Sequence, residues 1–368
     1  MRERLGPALV VVLALAAYVA VALAQNGGDV GEMARLGLRR MAGDQTALEG
    51  YDGQYVYVLA VNPDPAWAAS QKSDIIDTPA YRYQRLLLSL LVRALTLAQP
   101  ALMPGALIVV NLVAQAVGTF LVSELLAAYG VNRWYALVYG LWVGFAYAVR
   151  LAMTEPLAYA LVAGAWLASV RGREGRAAVL YGLAVFTKET SLVFVAGHLA
   201  WLLLQRRWWP AVRVLGLAGV PFALFQFVIL HYFGRFGVGS GGFHASGFEW
   251  IPYMGLWRIG QYSLAALALF AALYLPLVVL PSLWGLLASA VRVWRRDWAL
   301  PVWMLAANAA VFPVAPFSTY SEPLGLVRLV CGLVLATLIF GAHTRSRRVL
   351  NYAVLWLLAL AMLANEAR

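Results

Sequence analysis

The chain has 368 residues, 62% of them hydrophobic and 12% charged, with a formal net charge of +11. Charged residues make up about a quarter of an ordinary soluble domain, so this composition excludes that class. The basic excess falls in short tracts between apolar runs, "RGREGR" (171–176), "QRRWW" (205–209), "RVWRRD" (292–297) and "HTRSRR" (343–348), which argues against a nucleic-acid partner and matches the positive-inside bias of membrane loops.

Apolar stretches able to cross roughly 30 Å of hydrocarbon recur along the chain. The first, 8–24 after "MRERLG", predicts a membrane helix; its basic flank and the "ALA" before Gln25 also give it the pattern of a signal peptide. A long loop over 25–103 follows, with Asp29, Glu32, Asp44, Glu49, Asp52, Asp64, Asp74 and Asp77. Inside it, "QRLLLSLLVRALTLA" (84–98) is about fifteen residues long and contains Arg93, which predicts an interfacial or re-entrant helix. Further spans are expected near 104–128, 134–150, 155–170, 177–187, 190–204, 210–232, 262–290, 299–317, 323–341 and 349–364, about eleven in all. The expected fold class is all-α, a polytopic helical membrane protein forming a single domain over 1–368. Its parts are the first loop 25–103, a helical core 104–232, a lid-like loop 233–260 and C-terminal helices 261–368. The single cysteine, Cys331, can form no internal disulfide.

Loop charge sets the orientation. With the N-terminus inside and 84–98 not crossing, every strongly basic tract lies on the cytoplasmic side. The first loop, the turns at 150–155, 187–190 and 318–322, and the loop 233–260 are then extracytoplasmic. Glu155, Glu189, Glu249 and Glu322 join the first-loop acids on that face, so the chemistry is expected outside.

Four stretches carry that chemistry. In "EGYDGQY" (49–55), Asp52 near the bilayer interface is costly to desolvate, which predicts a carboxyl raised toward the range of a general base. Its flanking glycines allow close backbone approach to a ligand, and Tyr51, Tyr55 and Tyr57 suit headgroup depth. The plainer alternative is that Asp52 simply caps a helix running to residue 60. In "DTPAYRYQR" (77–85), Arg82 and Arg85 share a helical face with Tyr81 and Tyr83 interleaved, which suits a phosphate or, equally, anionic lipid. In "RLAMTEPLAYA" (150–160), Glu155 before Pro156 fits the first turn of a helix and is also an ionisable group at membrane depth. In "FTKETSL" (186–192), Lys188 can hold a phosphate or pair with Glu189 or Glu155. The Gly- and aromatic-rich loop 233–257 suits a mobile lid or an interfacial belt, with His244 and Glu249 as polar contacts. "GVGSGG" (237–242) has neither the strand nor the βαβ unit of a nucleotide fingerprint, and the four histidines lack zinc-ligand spacing.

The order and sidedness of these stretches resemble the GT-C membrane glycosyltransferases. "YDGQYVYVLA" is similar to the W-D-G-x-x-Y/F stretch of the GPI mannosyltransferase branch, with Tyr51 in place of tryptophan. "MTEPLAYAL" resembles the T/S-E-S/P-L-F element there. "GLAVFTKETSL" is similar to G-L-A-x-L-T-K-G/E of the lipid A aminoarabinose and protein mannosyl transferases. The resemblance covers about residues 1–232. It implies inverting transfer of a sugar from a polyprenyl-phosphate donor to a glycan, lipid or protein acceptor, on the outer face of a bacterial plasma membrane. Asp52 would be the general base, with Asp29 as the alternative. Lys188, Arg82 and Arg85 would hold the donor phosphate, and Glu155, Glu189, Tyr55, Tyr81, Gln54 and His244 would contact substrate. A divalent metal held by first-loop acids is an open expectation. A transporter or flippase of a lipid-linked or small polar substrate is the alternative function; charges at the midplane of several spans would favour it, with Glu124 and Arg328 the nearest candidates.

Overall fold

The structure, a computed structural model, describes residues 2–44, 46–47, 49–73, 75–242 and 245–365. Among these residues every regular element is a helix. Among the described residues six helices are long and apolar enough to cross a bilayer: Arg4–Gln25, Pro100–Ala128, Trp208–Phe233, Leu264–Trp294, Pro323–His343 and Arg347–Ala364. Helix Arg4–Gln25 illustrates why they belong in lipid. Val11, Leu15, Val19 and Ala22, three or four apart, are buried, while Leu9, Leu13 and Val21 on the other side are mostly exposed. A helix apolar on both faces has no water-facing side. Pro323–His343 is the central element, with 83% of its apolar window buried against 22% for the peripheral Leu264–Trp294.

Shorter apolar helices fill the space between. Helix Met103–Ala128 packs against Arg2–Gln25 and Glu155–Val170, and the latter packs against Glu174–Thr187. Leu192–Leu204 lies on Leu300–Ala310, which also contacts Leu280–Trp294 and Cys331–His343. The expected interfacial helix is Leu86–Leu95, ten residues and roughly 15 Å long, too short to cross.

The expected single span over 134–150 is two short helices, Ala136–Gly140 and Val143–Arg150, separated by Leu141 and Trp142, where the backbone leaves the helical conformation. The break is stabilised from outside the segment. Gln115 Nε2 donates to the carbonyls of Tyr139 and Gly140 at 3.4 and 3.1 Å, and Asn111 Nδ2 donates to Met153 O at 2.8 Å. A buried carbonyl freed by a broken helix needs a donor; the Gln115 amide on helix Met103–Ala128 supplies it at the break, and Asn111 does the same beyond the end of Val143–Arg150, at Met153. A similar repair occurs where Pro281 deprives the Leu277 carbonyl of its helical donor, because Trp356 Nε1 donates to it at 3.0 Å.

Candidate functional site

The polar side chains of five segments meet where their helices begin or end. Helix Asp52–Val61 starts there, after an extended Tyr51. Pro79–Tyr83 ends there, and Glu155–Val170 begins. Glu174–Thr187 hands over to Leu192–Leu204 through Lys188 and Glu189, and Pro323–Leu329 presents Arg328. Helix ends suit this purpose because they expose backbone groups and carry side chains out of the apolar bundle.

Two close contacts hold the segments in register. At Gly53 a Cβ would lie 2.1 Å from the Leu151 carbonyl oxygen, so the glycine after Asp52 admits a neighbouring backbone, where a ligand was expected. At Gly144 a Cβ would lie 2.3 Å from Val327 O, which also accepts from Trp142 Nε1 at 2.8 Å. This seats Arg328 one residue on. Gly53→Ala is expected to destabilise the protein by about 3 kcal/mol, since the obstacle is backbone that cannot rotate away. Thermal unfolding in detergent checks it, with Gly105→Ala, which meets nothing within 4 Å, as the reference.

Asp52 lies between two guanidinium groups. Its Oδ1 accepts from Arg82 Nη1 at 2.7 Å and its Oδ2 from Arg328 Nη1 at 2.6 Å. Each arginine has a second carboxylate behind it. Arg82 grips Asp77 through Nε and Nη2, both at 2.8 Å, and Arg328 Nε reaches Glu155 Oε1 at 2.5 Å. The same Glu155 oxygen accepts from Lys188 Nζ at 3.0 Å. Arg85 is held bidentately by Glu189, at 2.7 and 2.5 Å, and also donates to the Tyr81 hydroxyl. The Arg82 guanidinium lies 4.0 Å from the Tyr55 ring centroid, and that of Arg85 lies 4.2 Å from Tyr81. Tyr51 donates to Glu322 and receives a bond from Arg328 Nη1 at 3.3 Å.

A small cleft opens onto this network, lined on its polar side by Asp52, Tyr55, Arg82, Arg85, Thr154 and Arg328. Three guanidinium groups and one carboxylate face it, while Asp77, Glu155 and Glu189 stand behind. The lining therefore carries a net charge of +2, although the whole cluster is neutralised by the acids behind it. Burial works to raise the Asp52 carboxyl, but Arg328 and Arg82 outweigh burial and hold it well below the usual carboxylate range. The expectation of a raised carboxyl is thus overturned, because that reading had no cations beside it. Burial, and then Asp77, push the Tyr55 phenol up to about 12, so it stays protonated at neutral pH.

The expected residues divide into three groups. Asp52, Tyr55, Arg82 and Arg85 line the cleft, with Tyr81 stacked beside the arginines. Asp52 is the first helical residue and makes no side-chain cap. Lys188, Glu155 and Glu189 lie one layer back, occupied with ion pairs. Of the partners open to Lys188, the structure selects Glu155. Gln54 is buried away from the cleft, donating to Ile75 O at 3.4 Å and packing beside Gly37 and Gly50. Asp29, the alternative base, caps helix Val30–Met33 by accepting from Gly31 N and Glu32 N at 2.7 and 3.1 Å. His244 and Asp74 lie outside the described residues.

Arg328 is the charged cleft residue that the sequence reading did not assign to the site, and Thr154 is a further polar one. The Arg328 signal was present, as a lone arginine within an otherwise apolar run, since such charges survive only when paired. Among the described residues no three His, Cys, Asp or Glu side chains gather as a cation site. Both Asp52 oxygens are taken by guanidinium groups, so the cleft does not fit a divalent metal. Compared with family models, with curated proteins and with solved structures, the chain matches none.

Proposed function

We propose that the protein is a membrane glycosyltransferase that moves a sugar from a polyprenyl-phosphate donor to an acceptor hydroxyl, with Asp52 as general base. The observation that carries this reading is the cleft itself, in which one ionised carboxylate is flanked by three arginines at the edge of an apolar helical bundle. A lipid phosphate leaving a sugar gains negative charge, and Arg82, Arg85 and Arg328 supply the cations to receive it. The acceptor oxygen attacks the anomeric carbon, the bond from that carbon to the phosphate oxygen breaks with its electrons, and the acceptor proton passes to Asp52. The phosphate role expected of Lys188 moves to Arg328 in this scheme. Lys188 instead holds Glu155 in place behind it.

The donor has to share Arg82 and Arg328 with Asp52. When phosphate oxygens take up those Nη1 groups, Asp52 loses the contacts that suppress its proton affinity. Donor binding therefore makes Asp52 a better base at the moment it is needed. The sign follows from the lowered carboxyl. In the free protein Asp52 is ionised down to below about pH 4, and its ion-pair stabilisation is lost only as pH falls through that lowered value. The acid limb of kcat/KM, which reports the free enzyme, should accordingly lie below about pH 4. The acid limb of kcat, which reports the donor complex, should lie roughly one unit or more higher. Coincident limbs would remove donor-linked activation.

The primary test is sugar transfer by the native protein in nanodiscs, offered a panel of radiolabelled polyprenyl-phosphate sugars with a membrane-lipid extract as acceptor. Transfer to an extractable product supports the reading. Movement of labelled donor or solute across a vesicle membrane, with no transfer, would favour a carrier. The position of the embedded charges speaks against that alternative. Glu124 lies near the end of its helix, bonded to Arg133 and Arg171, and Arg328 lies near the start of its own.

A further inference from the structure

A second polar site lies at the far end of the bundle, and it does not depend on the proposed reaction. Helix Glu189–Leu204 begins beside the Asp52 cleft and, at 1.5 Å per residue, ends about 24 Å away. There, an open groove runs between its end and that of Leu280–Trp294, lined by Trp201, Gln205, Arg207, Arg296, Asp297 and Trp298. The Arg207 guanidinium lies 5.1 Å from the Trp201 ring centroid and bonds Glu174 at 3.0 Å. Asp297 is occupied by Arg292 and His343, at 3.3 and 3.1 Å. Arg206, Arg295 and Arg296 make no ion pair among the described residues. Arg296, which lines the groove, therefore brings it a cationic charge that no carboxylate neutralises, and Arg206 and Arg295 adjoin lining residues in sequence.

Two of these arginines occupy costly backbone positions. Arg206 has φ +53° and Arg296 has φ +61°, the left-handed conformation that usually falls to glycine where a helix closes. Both helices end with the same pair of bonds. Arg206 N donates to Leu203 O at 3.0 Å and Arg207 N to Leu202 O at 2.8 Å, and Arg296 N to Val293 O and Asp297 N to Arg292 O, both at 2.9 Å. Elsewhere the chain closes helices with glycine, as at Gly130 and Gly172 (φ +74° and +72°), and with other residues, as at Ala98, Ala152 and Arg345 (φ +60°, +55° and +50°). Glycine would relieve the left-handed backbone at both positions, so replacing these two arginines removes charge without straining the helix ends. Around the groove, Leu203, Leu204, Trp208, Trp209 and Trp294 are exposed, an apolar and aromatic rim that a soluble anion would not use.

We propose that this groove binds the phosphate headgroup of an anionic phospholipid, with Arg207 and Arg296 on the phosphate, Arg206 adding positive charge next to Arg207, and the tryptophans at the headgroup–acyl boundary. The experiment is native mass spectrometry of the purified full-length protein titrated with phosphatidylglycerol in mild detergent, alongside its thermal unfolding without added lipid. For Arg206→Gly/Arg296→Gly, phosphatidylglycerol affinity should fall roughly ten- to thirtyfold, while lipid-free thermal stability holds or rises because glycine relieves both left-handed residues. Arg4→Gln removes a charge from a helix that does not line the groove, and should leave binding within about twofold of native. Unchanged lipid affinity in the double glycine variant overturns the proposal. So does an equal loss in Arg4→Gln, which would mean diffuse attraction, and so does displacement of the lipid by millimolar inorganic phosphate, which would mean a soluble anion. Should the double variant not purify, Arg296→Gln is read by the same criteria.

Discussion

Asp52→Asn is expected to lower sugar transfer by about 10²- to 10⁴-fold, the usual contribution of a positioned base, and at the same time to tighten donor binding. The second half follows from competition. In the native cleft the Asp52 carboxylate occupies one Nη group on each of Arg82 and Arg328, and a donor phosphate must displace it. A neutral amide holds those groups less firmly, so the phosphate meets less resistance. The fold should survive the change at a cost of about 1 kcal/mol, since Arg82 retains Asp77 and Arg328 retains Glu155. Single-turnover transfer and equilibrium binding of the same labelled donor check both halves. A variant with native rates removes Asp52 from the chemistry. A variant that loses rate and donor affinity together would mean that Asp52 organises the arginines and takes no proton.

The membrane class was legible from composition, and the site charges from their rarity. A chain with 12% charged residues places Asp52, Arg82, Arg85, Glu155 and Lys188 in or beside apolar stretches only where each has a partner. The pairings themselves were not legible. Asp52 meets Arg82 across 30 positions and Arg328 across 276, and no local pattern encodes such a distance. For the same reason its carboxyl was expected to rise and instead falls, because the cations that reverse the sign arrive from elsewhere in the chain. The 134–150 span failed differently. Its hydropathy is continuous, but the donor that lets it break sits on Gln115, so the break is a tertiary feature. Gln54 shares a turn of sequence with Asp52 yet serves the loop, since helix Asp52–Val61 turns it away toward Gly37 and Gly50. Tyr55, three residues on from Asp52, stays on the cleft side, as helical spacing dictates.

Glu155 should prove the costliest of the buried charges to remove, and the comparison with Lys188 is diagnostic. The Glu155 side chain is fully buried and one of its oxygens accepts from both Lys188 and Arg328. In Glu155→Gln, Arg328 keeps Asp52, but the Lys188 ammonium is left buried without a carboxylate, at a cost of about 3–5 kcal/mol. In Lys188→Met, Glu155 keeps Arg328 and the methionine fills most of the lysine's volume, so the loss should be about 1–2 kcal/mol. The double variant Glu155→Gln/Lys188→Met leaves no unpaired buried cation and should be more stable than Glu155→Gln alone, giving a coupling of about 2 kcal/mol. Thermal unfolding of the four proteins in one detergent measures this cycle. Additive losses would show that Lys188 and Glu155 are not a unit, and Lys188 would then be available for the phosphate role that its pairing with Glu155 now denies it. Recovery in the double variant, with transfer still impaired, would instead fix the pair as the support that orients Arg328 toward the donor.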